Sequence, residues 1–266
     1  MISNLGELAI KASIKAGAAI MEVYNKNEAI VDKKADDSPL TQADLNSNAV
    51  IIDYLKSTDI PVISEEIKNS DYLARKDWEK CWIVDPMDGT KEFVNRNGEF
   101  TVNIALLENG KLTMGVIYAP VLKSLYFTSE GMADAFRATV DWEKGMSVSE
   151  IVKEASVLKQ HSDKNYLKVV ASKSHLNQET KDYIDQLSRS DDRELQIVSV
   201  GSSLKFCLVA EGTAEVYPRF GPTMEWDTAA GQAICEAAGV SVTSYKNNLP
   251  LQYNKEDLYN PFFIVN

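Results

Sequence analysis

Two segments far apart in the chain carry the residue types that do chemistry. The first is Trp82-Ile83-Val84-Asp85-Pro86-Met87-Asp88-Gly89-Thr90, and the second is Glu225-Trp226-Asp227-Thr228-Ala229-Ala230-Gly231. Each delivers carboxylates where an apolar run meets a turn or a helix start. Carboxylates in such places hold metal ions or do acid–base work, and which of the two applies decides what the chain does.

In the first segment a short strand is expected to end at Asp85, where Pro86 fixes the next φ and Gly89 permits close backbone approach. Asp85 and Asp88 can then share one small volume, with the Met87 carbonyl between them. Hard divalent cations such as Mg2+ favour this oxygen-only set. The N–H groups of Gly89 and Thr90 head a helix-like turn that suits phosphate oxygens. Taken alone, Asp-Pro and Asp-Gly are also ordinary turn dipeptides. In the second segment Asp227 reads as the N-cap of a small-residue helix, which by itself would explain an aspartate there. Ala229, Ala230 and Gly231 let the first turn pack tightly against a buried site. Because a helix N-terminus attracts anions, Asp227 should hold the metal while the amides face substrate.

Further candidates flank these segments. Glu65, in Ser64-Glu65-Glu66, ends a strand, where a glutamate is a metal ligand or solvated surface. Thr41-Gln42-Ala43-Asp44 matches a capping box; a catalytic role would require Asp44 to reach another hydroxyl, such as Thr90, and improve it as an acceptor for an attacking water. Ser202-Ser203-Leu204-Lys205 follows Gly201 and opens a helix, so that its serines, Ser203 among them, and Lys205 form a candidate anion seat. Arg219, in the rigid Tyr217-Pro218-Arg219-Phe220-Gly221-Pro222 loop, could join them on a second substrate phosphate.

The elements that must position these residues follow from periodicity. Apolar residues at helical spacing predict helices over 4–25 and 41–56. Short strands are expected at 60–64 and 81–84, the latter stopped by Asp85-Pro86. Strands over 101–107, 111–118 and 124–127 form an antiparallel meander, with Asn109-Gly110 a strong hairpin signal. A charged stretch at 133–145 marks a boundary. Beyond it strands (168–171, 195–200, 214–217) alternate with helices (177–187, 202–210, 227–238), which argues a wound α/β half. The expected organisation is therefore α/β overall: an α+β subdomain over 1–145, an α/β subdomain over 146–266, and the site at their interface.

Composition narrows the function. The 266 residues are 44% apolar and 25% charged, with a net charge of -11. So acidic a chain is a poor binder of long nucleic acid, and it would repel small phosphorylated substrates unless bound cations reversed the local field. Cys81, Cys207 and Cys235 show no CxxC spacing and read as buried free thiols. The two histidines, His161 and His175, have no ligand partner at i+3 or i+4, which argues against His-based zinc sites and a Ser-His-Asp triad. No apolar run is long enough to span a membrane, and the first fifteen residues lack the order of a secretory signal. A cytoplasmic protein is expected.

The paired motifs resemble the signatures of the inositol monophosphatase superfamily, Mg2+-dependent and lithium-sensitive phosphomonoesterases. The stretches Lys91-Glu92-Phe93, 96–105, 201–212 and 217–223 resemble its bacterial CysQ-type branch, the 3'(2'),5'-bisphosphate nucleotidases. The resemblance implies a layered α/β/α/β/α sandwich. It implies Glu65, Asp85, Asp88, Asp227 and the Met87 carbonyl as ligands of two or three Mg2+ ions, and Thr90 with Asp44 as the pair that activates water. Met87, Asp88, Gly89 and Thr90 would contact the substrate phosphate, along with Glu65 and Asp227 through the ions. The reaction it implies is hydrolysis of the 3'-phosphate of adenosine 3',5'-bisphosphate to AMP, with the 3'-phosphorylated sulfonucleotide as a second substrate. Inositol monophosphate and sugar bisphosphates are the rival substrates, and a non-catalytic nucleotide or metal sensor is the rival of a different class. The resemblance also allows peripheral attachment to the cytoplasmic face of the inner membrane, for which no basic amphipathic helix is legible here. A monomer or dimer with no nucleic-acid partner is expected.

Overall fold

The computed structural model describes residues 2–26, 31–33, 39–161, 163, 165–171 and 177–266; His175 lies outside them. Helix α1 (Asn4–Asn25) starts where the Ser3 hydroxyl accepts the Gly6 N–H at 3.1 Å. Strands β1 (Val31–Lys33) and β2 (Pro39–Thr41) pair antiparallel just ahead of α2 (Gln42–Leu55). Then come β3 (Val62–Ser64), the short α3 (Tyr72–Arg75), β4 (Lys80–Asp88) and the short α4 (Thr90–Val94). The meander follows as β5 (Thr101–Glu108), β6 (Lys111–Ala119), β7 (Ser124–Thr128) and β8 (Ala135–Thr139), and it closes with α5 (Val148–Glu154) and β9 (Ser156–Val157).

Strands β3 to β9 make one seven-stranded sheet in sequence order, parallel only between β3 and β4. Asn109 and Gly110 both take positive φ (49° and 74°), the backbone a two-residue hairpin turn requires. The sheet continues past position 145: β8 and β9 pair antiparallel, and Val148 and Ile151 of α5 pack in the same core as α1. The sequence boundary at 145/146 thus falls inside the first half. Short, half-polar strands such as β8 and β9 carry little hydrophobic alternation to read.

In the second half β10 (Tyr166–Val170), α6 (Gln178–Ser190) and β11 (Glu194–Val198) form a parallel β-α-β unit. Next are α7 (Leu204–Ala210), β12 (Tyr217–Arg219) and α8 (Glu225–Ala237). Last are β13 (Val242–Ser244) and β14 (Phe263–Val265), which pair antiparallel with β12 in the order β12-β14-β13. A parallel bridge between Val169 and Val216 links the two small sheets. The wound character expected from the sequence holds for β10, α6 and β11 and extends through α7 to the parallel bridge at Val216. The antiparallel remainder depends on three-residue strands too short to announce themselves.

Alternation along β4 explains the layering. Trp82 and Val84 face a core shared with α1 and α2, whereas Cys81 and Ile83 face one shared with α7 and α8. On the far side of α7 and α8 lie Tyr217, Val242, Phe263 and Val265 of the small sheets. Beyond these, Ile184 of α6 packs on Leu167 and Val169. The result is the α/β/α/β/α sandwich. The inner helix α8 can lie so close because its face is small: a Cβ on Gly231 would come within 2.5 Å of the Phe206 ring. Among the described residues no helix is long and apolar enough to cross a membrane, and all three cysteines are buried free thiols.

Candidate active site

Strand β4 does not stop at Asp85-Pro86, as the sequence suggests; it runs on to Asp88 through a bulge. Asp85 stands opposite Asn103 and Asp88 opposite Thr101, so Pro86 and Met87 share a single partner position on β5. A proline is tolerated there because a bulge leaves an N–H position unused. The Asp85 carboxylate accepts the Met87 N–H at 3.0 Å, and the Pro86 carbonyl accepts the Ser47 hydroxyl at 2.6 Å. The bulge thereby sets Asp85, buried at 1% exposure, and Asp88 on either side of it at the C-terminal end of β4. Gly89 follows with φ 97°, and a Cβ there would lie 3.0 Å from the Glu99 carbonyl oxygen and 3.2 Å from Ser202 Cβ. Both the left-handed backbone and the close approach call for glycine.

Asp44 makes both sets of hydrogen bonds the sequence left open. Its Oδ2 accepts the Thr41 N–H and the Thr41 hydroxyl, each at 2.7 Å, closing the capping box of α2. Its Oδ1 accepts the Thr90 hydroxyl at 3.1 Å from the start of α4. A carboxylate buried at 1% exposure is thus held on one side by the cap and presented to Thr90 on the other. Having given its proton to Asp44, the Thr90 oxygen keeps its lone pairs for a donor in the cleft.

Asp227 is not the N-cap of α8. The helix begins two residues earlier, and Asp227 sits in its first turn with Oδ2 accepting the Met224 N–H at 2.8 Å. Asp88 and Asp227 line one cleft of about 130 Å³ with Lys205, Arg219, Ser202 and Ser203. Burial raises both aspartic acids above the ordinary carboxylate range. For Asp227, repulsion from Asp88 and Glu65 adds to this, while the Met224 N–H and Arg219 oppose it. For Asp88, Lys205 opposes most strongly, Glu92 and Glu65 push it further up, and the Ser203 backbone N–H pulls it down. Glu65, just past the end of β3, is thereby within electrostatic reach of both. A larger cavity of about 540 Å³ beside α1 shares no lining residue with this cleft.

The anion seat differs from expectation in one residue. Helix α7 begins at Leu204, and the Ser203 hydroxyl donates to Asn103 Oδ1 at 2.8 Å and lies 2.7 Å from the Thr101 hydroxyl. Its side chain therefore braces β5, and what it offers the cleft is its backbone N–H to Asp88. Ser202, at φ 50°, lines the cleft, and its hydroxyl is buried without a partner among the described residues. Lys205 is lowered from its usual range, first by burial and then by Arg219, while Asp88, Glu92 and Asp227 oppose the shift. Arg219 donates to the Pro222 carbonyl at 3.0 Å, and its buried Nε lacks a partner among the described residues. Sequence reasoning missed Glu92. In Gly201-Ser202-Ser203 nothing distinguishes which hydroxyl braces β5 until the left-handed turn at Ser202 is known.

The donors available to a metal fit a hard divalent cation. They are oxygens only, they are partly withdrawn from water, and two of them, Asp88 and Asp227, are raised by burial and by neighbouring carboxylates. Among the described residues no three carboxyl, thiol or imidazole groups already converge on one point. Asp85, Asp88 and Asp227 each direct an oxygen to a backbone N–H instead.

Comparison with known proteins agrees with this picture. The inositol monophosphatase family matches residues 1–261. A Shigella flexneri protein named 3'(2'),5'-bisphosphate nucleotidase CysQ is 46% identical over 254 residues, covering 94% of each chain. The crystal structure of CysQ from Bacteroides thetaiotaomicron, a bacterial member of the inositol monophosphatase family, superposes with a TM-score of 0.87 at 48% identity, covering 97% of this chain and 95% of that one. The extragenic suppressor protein SuhB from Bartonella henselae superposes at 0.75 with 22% identity over 99% of this chain and 93% of its own, a likeness of fold.

Proposed function

Since this chain belongs to the inositol monophosphatase family, we propose that it is a 3'(2'),5'-bisphosphate nucleotidase that removes the 3'-phosphate of adenosine 3',5'-bisphosphate, releasing AMP and phosphate. Near-half identity to proteins of that name across almost the whole chain supports the reaction class. The observation that carries the mechanism is the Asp44–Thr90 hydrogen bond beside the buried Asp85–Asp88 bulge. A protein that only bound nucleotide or metal would have no use for a hydroxyl polarised in this way.

In this reading Thr90 accepts a hydrogen bond from the attacking water and fixes its line of approach, and as the water attacks, its proton passes to the Thr90 oxygen while the Thr90 proton passes to the Asp44 carboxylate. The N–H groups of Gly89 and Thr90 receive the oxygens of the phosphate under attack. Ser202, Lys205 and Arg219 hold the other phosphate through charge-assisted hydrogen bonds. Glu65, Asp85 and the Met87 carbonyl would hold one Mg2+, and Asp85, Asp88 and Asp227 a second. Bound there, the ions would supply charge neutralisation and a water of lowered pKa.

The test is a phosphatase panel in Mg2+. Adenosine 3',5'-bisphosphate should exceed inositol 1-phosphate and fructose 1,6-bisphosphate in kcat/KM by at least about tenfold, a difference of roughly 1.4 kcal/mol in transition-state binding, and millimolar-scale lithium should suppress release. A preference for inositol 1-phosphate would assign the chain to another substrate of the family.

A further inference from the structure

Residues 252–260 form a strap around the first turn of α8. The N–H groups of Asn254 and Lys255 donate to the Glu225 carboxylate at 2.6 and 3.0 Å, and the Lys255 ammonium reaches the same carboxylate at 2.5 Å. Asn260 Nδ2 donates to the Met224 carbonyl at 2.7 Å. Glu225 is fully buried and stands two residues ahead of Asp227. The same strap grips Arg75, at 3% exposure, from the other side. Arg75 Nη1 donates to Asn254 Oδ1 at 2.8 Å, Nη2 to the Glu256 carbonyl at 3.0 Å and Nε to the Ser70 carbonyl at 3.2 Å; Asn254 Nδ2 returns to the Arg75 carbonyl at 2.7 Å. The loop that Arg75 closes begins at Glu65. Its base is tied by Asn69, whose side chain accepts the Ser64 N–H and donates to the Ser64 carbonyl, both at 3.0 Å. Hydrogen bonds therefore run without a break from the Glu65 loop through Arg75 and Asn254 to Glu225 and the helix carrying Asp227.

We propose that Arg75 and Asn254 are positioning residues that set the spacing between Glu65 and Asp227, and with it the affinity of the site for divalent cations. The proposal rests on the reading of Glu65 and Asp227 as metal ligands. Stability is a poor explanation for the arrangement, because a buried guanidinium and a buried carboxylate stabilise a fold no better than apolar side chains of the same size. Holding a register is the best-attested use of such groups. The planar Arg fork binds three acceptors from two separate segments, Ser70 and the strap, at fixed angles, which an ammonium cannot do. The two ligands come from opposite halves of the chain, so their spacing depends on contacts across the seam, and the strap adds directional hydrogen bonds to the apolar packing of α8 on the sheet. Partners behind the ligands of a metal site commonly change its affinity 10–100-fold when removed.

The test uses Arg75→Gln and Asn254→Gly in the full chain. Asn254 has φ 60°, so glycine keeps the backbone unstrained while removing the side chain. Mn2+ binding to substrate-free protein is followed by loss of the free-ion EPR signal, and half-saturating Mg2+ and KM by phosphate release. Both variants should bind Mn2+ about tenfold or more weakly and need correspondingly more Mg2+, with KM at saturating Mg2+ changed by less than about twofold. A merely structural role would lower the melting temperature and leave the folded protein's Mn2+ affinity alone. Mn2+ binding by Asn254→Gly within twofold of the parent overturns the proposal, and this variant decides alone if Arg75→Gln fails to fold. Glu65→Gln in the same titration separates the two failures. Weakened binding there with parental binding in Asn254→Gly removes only the positioning role, whereas parental binding in Glu65→Gln removes the ligand assignment beneath it.

Discussion

Asp44 caps a helix and orients Thr90, and the two tasks can be separated experimentally. Thr90→Ala removes one donor from a carboxylate that keeps two others at 2.7 Å. It should cost about 1 kcal/mol of stability or less, yet lower turnover by roughly 10²–10⁴, the range for losing a positioned proton acceptor. Asp44→Asn loses the charge that accepts all three donors. Two of these belong to the cap, so stability should fall by on the order of 2–3 kcal/mol and the melting temperature by roughly 5–10 °C. Measured well below its melting temperature, its turnover should fall as far as that of Thr90→Ala. Thr41→Ala is the complement: it weakens the cap by about 1 kcal/mol and should leave turnover near parental. The decisive protein is the double variant Asp44→Asn/Thr90→Ala. If Asp44 acts through Thr90, the double is no slower than the slower single, since residues that work as a unit are not additive. Turnover losses that multiply would refute the reasoning and make Asp44 an independent contributor.

Three further outcomes follow from the geometry. Asp88→Asn should abolish nearly all phosphate release while leaving the circular dichroism spectrum unchanged, and in chelator its melting temperature should not drop, because burial and neighbouring carboxylates make the Asp88 charge unfavourable; near-parental release would remove Asp88 from the site. Gly89→Ala, at φ 97° with a Cβ 3.0 Å from the Glu99 carbonyl oxygen, should cost roughly 1–3 kcal/mol and distort the turn that carries Thr90, so a thermal melt and activity at parental levels would show that the turn adapts. Gly231→Ala puts a methyl within 2.5 Å of the Phe206 ring and should destabilise by about 1–3 kcal/mol through overpacking, with kcat at saturating Mg2+ changed far less than by Asp88→Asn.

The sequence declares what is built from local pattern. Helices α1 and α2, the β5–β6 hairpin at Asn109-Gly110 and the capping box at Thr41–Asp44 all stand where periodicity and turn chemistry put them. It misleads where a local rule is overridden by a neighbour. Pro86 reads as the end of a strand, but the partner strand absorbs the extra residue as a bulge and β4 continues. Asp227 reads as a cap, but its carboxylate reaches back three residues and the helix starts at Glu225. Ser203 and Ser202 are indistinguishable by type; only the positive φ at Ser202 and the Asn103 acceptor across the sheet sort them. The contacts of Arg75 with residues 179 and 181 positions away leave no trace in local pattern at all.

The charge of the cleft constrains the order in which its parts can work. The carboxylates of Asp88, Glu92 and Asp227 line the cleft with two cations, Lys205 and Arg219, and Glu65 lies within electrostatic reach. Unit charges about 5 Å apart at an effective dielectric near 20 interact by roughly 3 kcal/mol, so a phosphate dianion on the carboxylate side is opposed by several such terms. Lys205 and Arg219, which line the same cleft, attract it. In the proposed mechanism a substrate with two phosphates, spaced by a ribose, places one on these cations through protein groups alone and presents the other to the carboxylates with divalent cations between them. On that proposal the phosphate that is cleaved is the one presented to Thr90 and Asp44, and the one that stays is held by Lys205 and Arg219.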